Sequence, residues 1–368
     1  MIPDSFIQEM LYRIDLVDLI DGYVPLKKTG ANFAACCPFH SEKSPSFTVS
    51  PSKQFYHCFG CGAHGNAIGF LMEYSGLGFV DAIKELAGRA GMQVPDDHGA
   101  AGQHVEKSQA LSEIMARAAR FYYEQLKGSA RAVSYLKERG VSGEIARRFG
   151  LGYAPEGWQN LAAAFDDYSS SELQLAGLVI NNERGRLYDR FRERVMFPIV
   201  SQKGEVIAFG GRVLGQGEPK YLNSPETPLF EKGREVFGLP QARAAIRAQD
   251  VVIVVEGYLD VVALAQHGIG NAVATLGTAT TTMQVQKLLR QAGRIVFCFD
   301  GDAAGRKAAW RALENSLEVL TEQKSIAFVF LPEGEDPDSL VRKRGGEALQ
   351  RLIAQATPLS DFLLRELA

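Results

Sequence analysis

The spacing of apolar and polar positions changes along this chain, and each change marks a predicted element. Residues 1–22, MIPDSFIQEMLYRIDLVDLIDG, place Ile7, Met10, Leu11, Ile14, Val17 and Ile20 along one side of an amphipathic helix. Gly22 and Pro25 end that pattern. Ser46–Ser50 and Gln54–His57 then alternate like two short strands about a turn at Pro51 and Ser52, and helical spacing returns over 66–74 and 79–90. Residues 96–108, DDHGAAGQHVEKS, hold no large apolar residue except Val105 and read as a linker. Helical periodicity resumes through Leu111, Ile114, Met115, Ala118, Phe121 and Tyr122. A second helix near 132–137 stops at Gly140, and Ser142 is placed to cap a third.

From Asp189 to Arg212 two apolar runs flank Lys203-Gly204, a hairpin signal. Arg190, Arg192 and Arg194 alternate along its first run, so a strand there would carry them on one face, turned away from any core. Further on, three apolar runs end in carboxylates: Val251–Val255 at Glu256, Ile295–Phe299 at Asp300 and Asp302, and Ile326–Leu331 just before the acidic stretch EGEDPD over 333–338. Continuous runs of this length suit strands buried on both faces, and ligands collect at the C-terminal edge of such sheets.

Composition adds bounds. With 368 residues the chain has room for two or more domains, and 46% hydrophobic with 23% charged residues is ordinary for soluble globular protein. No run approaches the ~20 apolar residues needed to span a bilayer. The N-terminus lacks a signal peptide's uninterrupted core, so a cytoplasmic setting without disulfides is expected. The net charge of -3 hides segregation: Arg184 to Lys220 holds eight basic against four acidic residues, and Glu333 to Asp338 holds four acids and no base.

Two chemistries follow. Cys37-Pro-Phe-His40 and Cys58-Phe-Gly-Cys61 are ligand pairs with two residues inside each and seventeen between them. Such knuckles make a closed tetrahedral zinc site, structural rather than catalytic, and predict a zinc ribbon. Cys36, His57 and His64 fall outside the spacing, with His57 and His64 expected in hydrogen-bonded turns. Phe47, Phe55, Tyr56 and Phe59, flanked by Lys43 and Lys53, suit base stacking or the ribbon's own small core equally. Separately, converging carboxylates repel unless cations sit among them, and oxygen ligands without histidine suit Mg2+ or Mn2+. Each acid also has a bland use, Asp302 as cap of a helix starting near Ala303 and Asp338 of one near Ser339. Gly210-Gly211-Arg212, the polar segment PKYLNSPET, Lys232 and Arg234 suit phosphate and ribose.

Taken together, CPFH, YHCFGCGAHGNAI, RFRERVMFPI, GGRVLG, PKYLNSPET, VVEGYLD, FDGDAAGRKA and GEDPDSLV resemble the bacterial replicative DNA primases of the DnaG type, across essentially the whole chain. The resemblance implies a multidomain α/β protein. Its parts would be a zinc-ribbon domain at 1–95, a linker at 96–108, an α+β basic subdomain of an RNA polymerase domain at 109–240, and a Toprim, Rossmann-like catalytic subdomain at 241–345. Residues 346–368 would begin a helical subdomain. It further implies Mg2+ or Mn2+ held by Glu256, Asp300, Asp302, Asp336 and Asp338, with Asp260 a further acid nearby and Glu256 either a ligand or a general base. A basic ridge of Arg190, Arg192, Arg212, Lys220, Tyr221 and Lys232, extended by Arg139 and Arg148, would track template and nucleotide phosphates.

The implied activity is synthesis of short RNA primers on single-stranded DNA from ribonucleoside triphosphates, giving an RNA–DNA hybrid, within the cytoplasmic replication machinery at the nucleoid. A non-catalytic zinc/Toprim DNA clamp and a Toprim nuclease are the competing readings; none of the twelve tyrosines is marked out as a topoisomerase nucleophile. Family members usually continue past the match to Pro358–Leu367 into a helicase-binding domain, so a fragment without helicase docking is expected.

Overall fold

The computed structural model describes residues 2–40, 42–94, 101–215, 217–277 and 279–367. They divide into two compact units, 1–106 and 107–368. Among the described residues no helix is long and apolar enough to cross a membrane.

In the first unit the single helix expected over 1–22 is two, Asp4–Arg13 and Leu16–Asp21. Asp15 breaks it: its backbone is extended and its carboxylate accepts the N–H groups of Val17 and Asp18 at 2.7 and 3.2 Å, capping the second helix. An antiparallel five-stranded meander follows: β1 (Lys27–Thr29), β2 (Asn32–Ala35), β3 (Phe47–Ser50), β4 (Phe55–Cys58) and β5 (His64–Gly65). The helices Ala67–Ser75 and Phe79–Arg89 then pack on it as the periodicity predicts. Alternation decides which aromatics are core. Phe47 and Tyr56 point inward, fully buried and stacked 5.2 Å apart, whereas Phe55 and Phe59 face solvent at 38% and 76% exposure.

Of the predicted linker, residues 96–100 lie outside the described residues, and the rest is not coil: from Ala101 the chain is helical to Gly128. Good helix formers such as Ala, Gln, Glu and Lys let a helix run on beyond the stretch that has apolar residues to bury. The second unit then forms two main sheets. The first uses β6 (Gly152–Ala154), β9 (Arg194–Val200), β10 (Val206–Val213) and β11 (Tyr221–Asn223), antiparallel in the order β11-β10-β9-β6, beside a two-stranded ribbon of β7 (Val179–Asn181) and β8 (Leu187–Asp189). β9 and β10 are the expected hairpin about Lys203-Gly204.

The second sheet contains β12 (Val251–Val255), β13 (Ala272–Ala274), β14 (Arg294–Phe299), β15 (Ser325–Phe330) and β16 (Thr357–Pro358), in the order β13-β12-β14-β15-β16. The first four are parallel, with helices in the connections, and their runs are buried as their unbroken hydrophobicity predicts. β16 joins antiparallel, and the helix Leu359–Leu367 behind it packs Phe362 4.8 Å from Phe328. The segment expected to begin a helical subdomain is thus mainly helical and adds one two-residue strand to this sheet. Gly210 lets the two sheets close up, since a Cβ there would lie 2.5 Å from the Tyr258 ring. Asn223 locks the approach: its Oδ1 accepts from the Tyr258 hydroxyl at 2.6 Å and its Nδ2 donates to Leu276 O at 2.7 Å.

Candidate zinc site, acidic site and basic face

Cys37, His40, Cys58 and Cys61 are brought together as the spacing predicts, with their ligand atoms all within 4.8 Å of one another. Cys37 Sγ to Cys61 Sγ and Cys58 Sγ to His40 Nδ1 are both 3.8 Å, close to the ~3.8 Å edge of a tetrahedron built on ~2.3 Å zinc–sulfur bonds. The donor set and its spacing fit Zn2+. Backbone N–H groups of Phe39, Gly60 and Cys61 point at the sulfurs of Cys37 and Cys58 from 3.3–3.4 Å, as thiolates at a metal require.

One residue of this site escaped the sequence reading. Glu42 Oε2 lies 3.2 Å from His40 Nε2, while Oε1 accepts the N–H groups of Cys37 and Ser46 at 2.6 and 3.1 Å. Glu42 thus fixes the ring with Nδ1 turned toward the other ligands. The Ser46 hydroxyl lies between Glu42 Oε2 at 2.5 Å and Cys58 Sγ at 3.1 Å, so its one proton serves one or the other. Burial works to raise the Cys58 thiol, yet Ser46 and the N–H groups of Cys61 and Gly60 bring it down to about 6. His64 is hydrogen-bonded as expected, Nδ1 2.8 Å from Gly62 O, although it opens β5 and does not lie in a turn. His57, on β4, differs: its Nδ1 is buried without a hydrogen-bond partner among the described residues, and its ring meets Phe59 edge-on at 4.6 Å.

At the other candidate site, the parallel neighbours β12, β14 and β15 deliver Glu256, Asp300 and the loop carrying Asp336 to one sheet edge. Adjacent strands are only ~4.8 Å apart, so the carboxylates feel one another. Asp300 is pushed up to about 6 by burial, then by Glu256, Asp336 and Asp302. Burial and Asp302 raise Glu256, and burial followed by Asp336 and Asp300 raises Asp260 well above the usual carboxylate range. The turns that hold these groups need glycine: a Cβ on Gly301 would lie 2.2 Å from Leu331 O, and one on Gly305 2.2 Å from Asp300 O.

Several of these oxygens are already committed. Asp302 caps the helix Ala303–Leu317, Oδ1 accepting from Gly305 N at 2.7 Å, and Asp336 caps Pro337–Arg344, Oδ1 accepting from Ser339 N at 2.6 Å. The expected cap near Ser339 is therefore Asp336, not Asp338, because the helix starts two residues earlier than the acidic run suggests. Both caps leave Oδ2 without a donor among the described residues. Asp260 spends Oδ2 on Gly257 N at 3.0 Å and Oδ1 on Asp338 N at 3.2 Å. Asp338 is buried, its oxygens 2.7 Å from Arg139 Nη1 and 2.7 Å from Arg342 Nε.

A pH dependence follows from this crowding. Between the ordinary aspartate value, 3.8, and about 6, Asp300 holds its proton in the fold but not in the unfolded chain. The native state then binds more protons, so stability falls as pH rises through that window, by on the order of 1–2 kcal/mol. The metal-free protein should melt lower at about pH 7 than at about pH 5, with Mg2+ or Mn2+ restoring the loss mainly at the higher pH. A melting temperature that ignores both pH and divalent ions would contradict the clustering.

The basic residues do not share one strand face. β9 begins only at Arg194, and residues 190–193 are irregular, with Glu193 at φ 53°. Arg194 is 6% exposed because carbonyls lie within its reach: Nη1 donates to Gly211 O at 3.2 Å and Lys220 O at 3.4 Å. Arg190, half-buried, donates twice to Asn223 O, at 3.1 and 2.9 Å. Arg192 lies with Cζ 3.9 Å from the Trp158 ring centroid and 5.2 Å from that of Tyr188, and Trp158 is 65% exposed. Arg212 lies between Tyr135 at 5.0 Å and Tyr221 at 5.8 Å. Lys220 is exposed, while Lys232 is half-buried with its backbone N–H held by Glu226. Arg148 donates to Gln241 O at 2.9 Å. Burial, the largest influence on Tyr221, holds its hydroxyl up at about 12. Trp158 and Tyr135 carried no signal in the sequence, since nothing in their spacing says which surface they line.

Comparison with known proteins accounts for nearly the whole chain. Family models match at 2–102 (CHC2 zinc finger), 121–243 (DNA primase catalytic core, N-terminal domain) and 253–341 (Toprim-like). The DNA primase of Neisseria meningitidis serogroup B is 56% identical over 375 residues, covering 100% of this chain and 63% of that protein. That of Escherichia coli K12 is 52% identical over 372 residues, covering 100% and 64%. The chain thus spans less than two thirds of the curated relatives it matches. Among solved structures, a DNA primase domain from Pseudomonas aeruginosa is 55% identical with a TM-score of 0.67, covering 70% of this chain and 82% of that one. A DnaG primase catalytic domain bound to single-stranded DNA is 48% identical with a TM-score of 0.67, covering 71% and 86%. The zinc-binding and RNA polymerase domains of Aquifex aeolicus primase are 38% identical with a TM-score of 0.63, covering 96% and 86%. With its zinc ribbon, core and Toprim-like domain in that order and at such identity, the chain belongs to the DnaG-type bacterial DNA primases.

Proposed function

We propose that this chain carries the zinc-binding and RNA-polymerising parts of a primase, making short RNA primers on single-stranded DNA by nucleotidyl transfer. The observation that carries this reading is the convergence of Glu256, Asp300, Asp302 and Asp336 at one parallel-sheet edge, in a unit that also presents an arginine-rich face. A strand of primer, with its 3'-hydroxyl, would attack the α-phosphorus of a ribonucleoside triphosphate and release pyrophosphate, leaving an RNA–DNA hybrid.

Such a reaction asks the protein mainly to align reactants and neutralise oxygens. Glu256, Asp300 and the uncommitted oxygens of Asp302 and Asp336 fit a hard divalent ion, being oxygen donors that repel one another without it. Mg2+ or Mn2+ bound there would supply the positive charge that stabilises the attacking and leaving oxygens. Arg192 against Trp158 and Tyr188 forms a cation-and-aromatic platform suited to template bases and phosphates. Arg212, Lys220, Tyr221 and Lys232 serve nucleotide and hybrid phosphates, and the zinc ribbon, with Phe55 and Phe59 exposed, meets template. Arg190, which gives two of its five N–H donors to Asn223 O, mainly holds β11 in place.

The deciding assay incubates the chain with single-stranded DNA, the four ribonucleoside triphosphates with one labelled, and Mg2+ or Mn2+, and resolves products by length. Short RNA that forms only with template is expected. Shortened DNA strands would point to a nuclease instead, and retained template binding without RNA would overturn the polymerase reading for this span.

A further inference from the structure

We infer that Asp338 is a positioning residue that fixes Arg139, and not a ligand of the catalytic ion. This rests on the primase reading of the acidic site and departs from the ligand set that the GEDPD motif implies.

A metal ligand must turn an accessible oxygen toward its ion, and both oxygens of Asp338 are buried and already held by arginines. Its side chain is 3% exposed, with Oδ2 2.7 Å from Arg139 Nη1 and Oδ1 2.7 Å from Arg342 Nε. Moving it to an ion would break two charge-assisted bonds and strand a half-buried arginine. Local geometry explains why the motif misleads. Asp336 caps the helix Pro337–Arg344, so Asp338 falls on its first turn, about 200° around the axis from the cap. Of these two aspartates, Asp336 is the one that keeps an uncommitted oxygen among the described residues.

What Asp338 holds is a row of basic and aromatic groups. Arg139 ends the helix Ala130–Glu138, and its guanidinium lies 5.7 Å from the Tyr135 ring centroid. On that ring also lies Arg212, at 5.0 Å, followed by Tyr221. Within this row the Tyr135 hydroxyl and Arg212 Nε are buried and have no hydrogen-bond partner among the described residues. The backbone of Asp338 reaches the other way. Its N–H donates to Asp260 Oδ1, and Asp260 Oδ2 accepts from Gly257 N, next to Glu256. Asp338 thereby ties the arginine row to the turn that carries the acidic edge, and sets the spacing at which a nucleotide could meet phosphate-binding arginines and ion-binding carboxylates together. Its contribution acts through Arg139 and should appear chiefly in nucleotide affinity.

The test titrates Mn2+ into the zinc-loaded full chain, reading free Mn2+ by electron paramagnetic resonance, and measures KM and kcat for ribonucleoside triphosphates. Asp338→Asn should bind Mn2+ within about twofold of wild type, whereas Asp300→Asn should bind at least about tenfold more weakly. In Asp338→Asn the nucleotide KM should rise by about tenfold with a smaller fall in kcat, and Arg139→Met should add little to it, because both remove one link. A lost fold would show in a melt, so the apolar pair Arg139→Met with Asp338→Leu is measured as well, and it too should keep Mn2+ affinity. Mn2+ weakened in Asp338→Asn as much as in Asp300→Asn would overturn the inference, as would independent, multiplying effects of Arg139→Met and Asp338→Asn. Should wild type make no primer, the primase reading fails while the Mn2+ comparison still decides whether Asp338 is a ligand.

Discussion

Replacing Asp300 with asparagine should reduce template-dependent RNA synthesis by about 10^3-fold or more, while the fold and single-strand binding survive. The substitution conserves shape, and Asp300 has no hydrogen-bond donor among the described residues, so no bond is lost with the charge. It also relieves repulsion: Asp300 is lifted to about 6 by burial and by Glu256, Asp336 and Asp302, so the metal-free variant should be slightly more stable than wild type near neutral pH. On the proposed reading, activity would fall because an ion bound there would lose the carboxylate at the centre of the cluster, between the strands that lead to Glu256 and Asp336. Asp302 needs a different variant, since its Oδ1 caps the helix Ala303–Leu317. Asp302→Ser keeps a capping oxygen and removes the carboxylate, so it separates the two roles. Labelled-nucleotide incorporation, fluorescence anisotropy with labelled single-stranded DNA, and a melt would be measured together. Activity of Asp300→Asn within tenfold of wild type, with the fold intact, would remove this edge as the catalytic site.

The acidic edge was legible because its cause is local. Unbroken apolar runs at 251–255 and 295–299 specify strands covered on both faces, and a strand so covered can carry its carboxylate only at the end. The zinc ligands were legible for a similar reason, as two-residue gaps are the mechanical requirement of a knuckle. What escaped depends on where an element starts and what lies across from it. Alternation at Arg190, Arg192 and Arg194 gives a period but no starting point. With β9 beginning at Arg194, the first two leave the strand and the third is buried against carbonyls from β10 and the segment before β11. The cap expected at Asp338 moved for the same reason, its helix beginning one residue after Asp336. Asp15 was hidden because a capping aspartate inside an apolar stripe reads as one polar position of a continuous helix. Glu42, Trp158 and Tyr135 owe their places to residues distant in sequence or to loop conformation, which spacing does not record.

Removing zinc should unfold the ribbon of the first unit. In zinc-finger peptides a structural Zn2+ contributes ~10–16 kcal/mol at neutral pH, against a total stability of ~5–15 kcal/mol for an ordinary domain. The apolar core of this unit, with Phe47, Tyr56 and Phe70 buried together, offsets part of that loss. It cannot offset all of it. Cys58 is fully buried and pairs in register with Phe47, so knuckle and core are built on the same two strands and cannot loosen separately. Chelation should therefore remove amide-exchange protection from β2 to β5, and Zn2+ should restore it. Glu42 tests the finer claim that the site is held from outside its ligands. Glu42→Gln leaves an oxygen for the N–H groups of Cys37 and Ser46 but withdraws the charge facing His40 Nε2, so Zn2+ should bind about 10–100-fold more weakly, read by competition with a chromophoric chelator. If β3 and β4 kept their protection without zinc, the stacked pair of Phe47 and Tyr56 would be sufficient to hold the sheet, and the ion would serve only to shape the two knuckles. Unchanged affinity in Glu42→Gln would reduce the carboxylate to an acceptor for backbone N–H groups, with the orientation of His40 set by the turn that carries it.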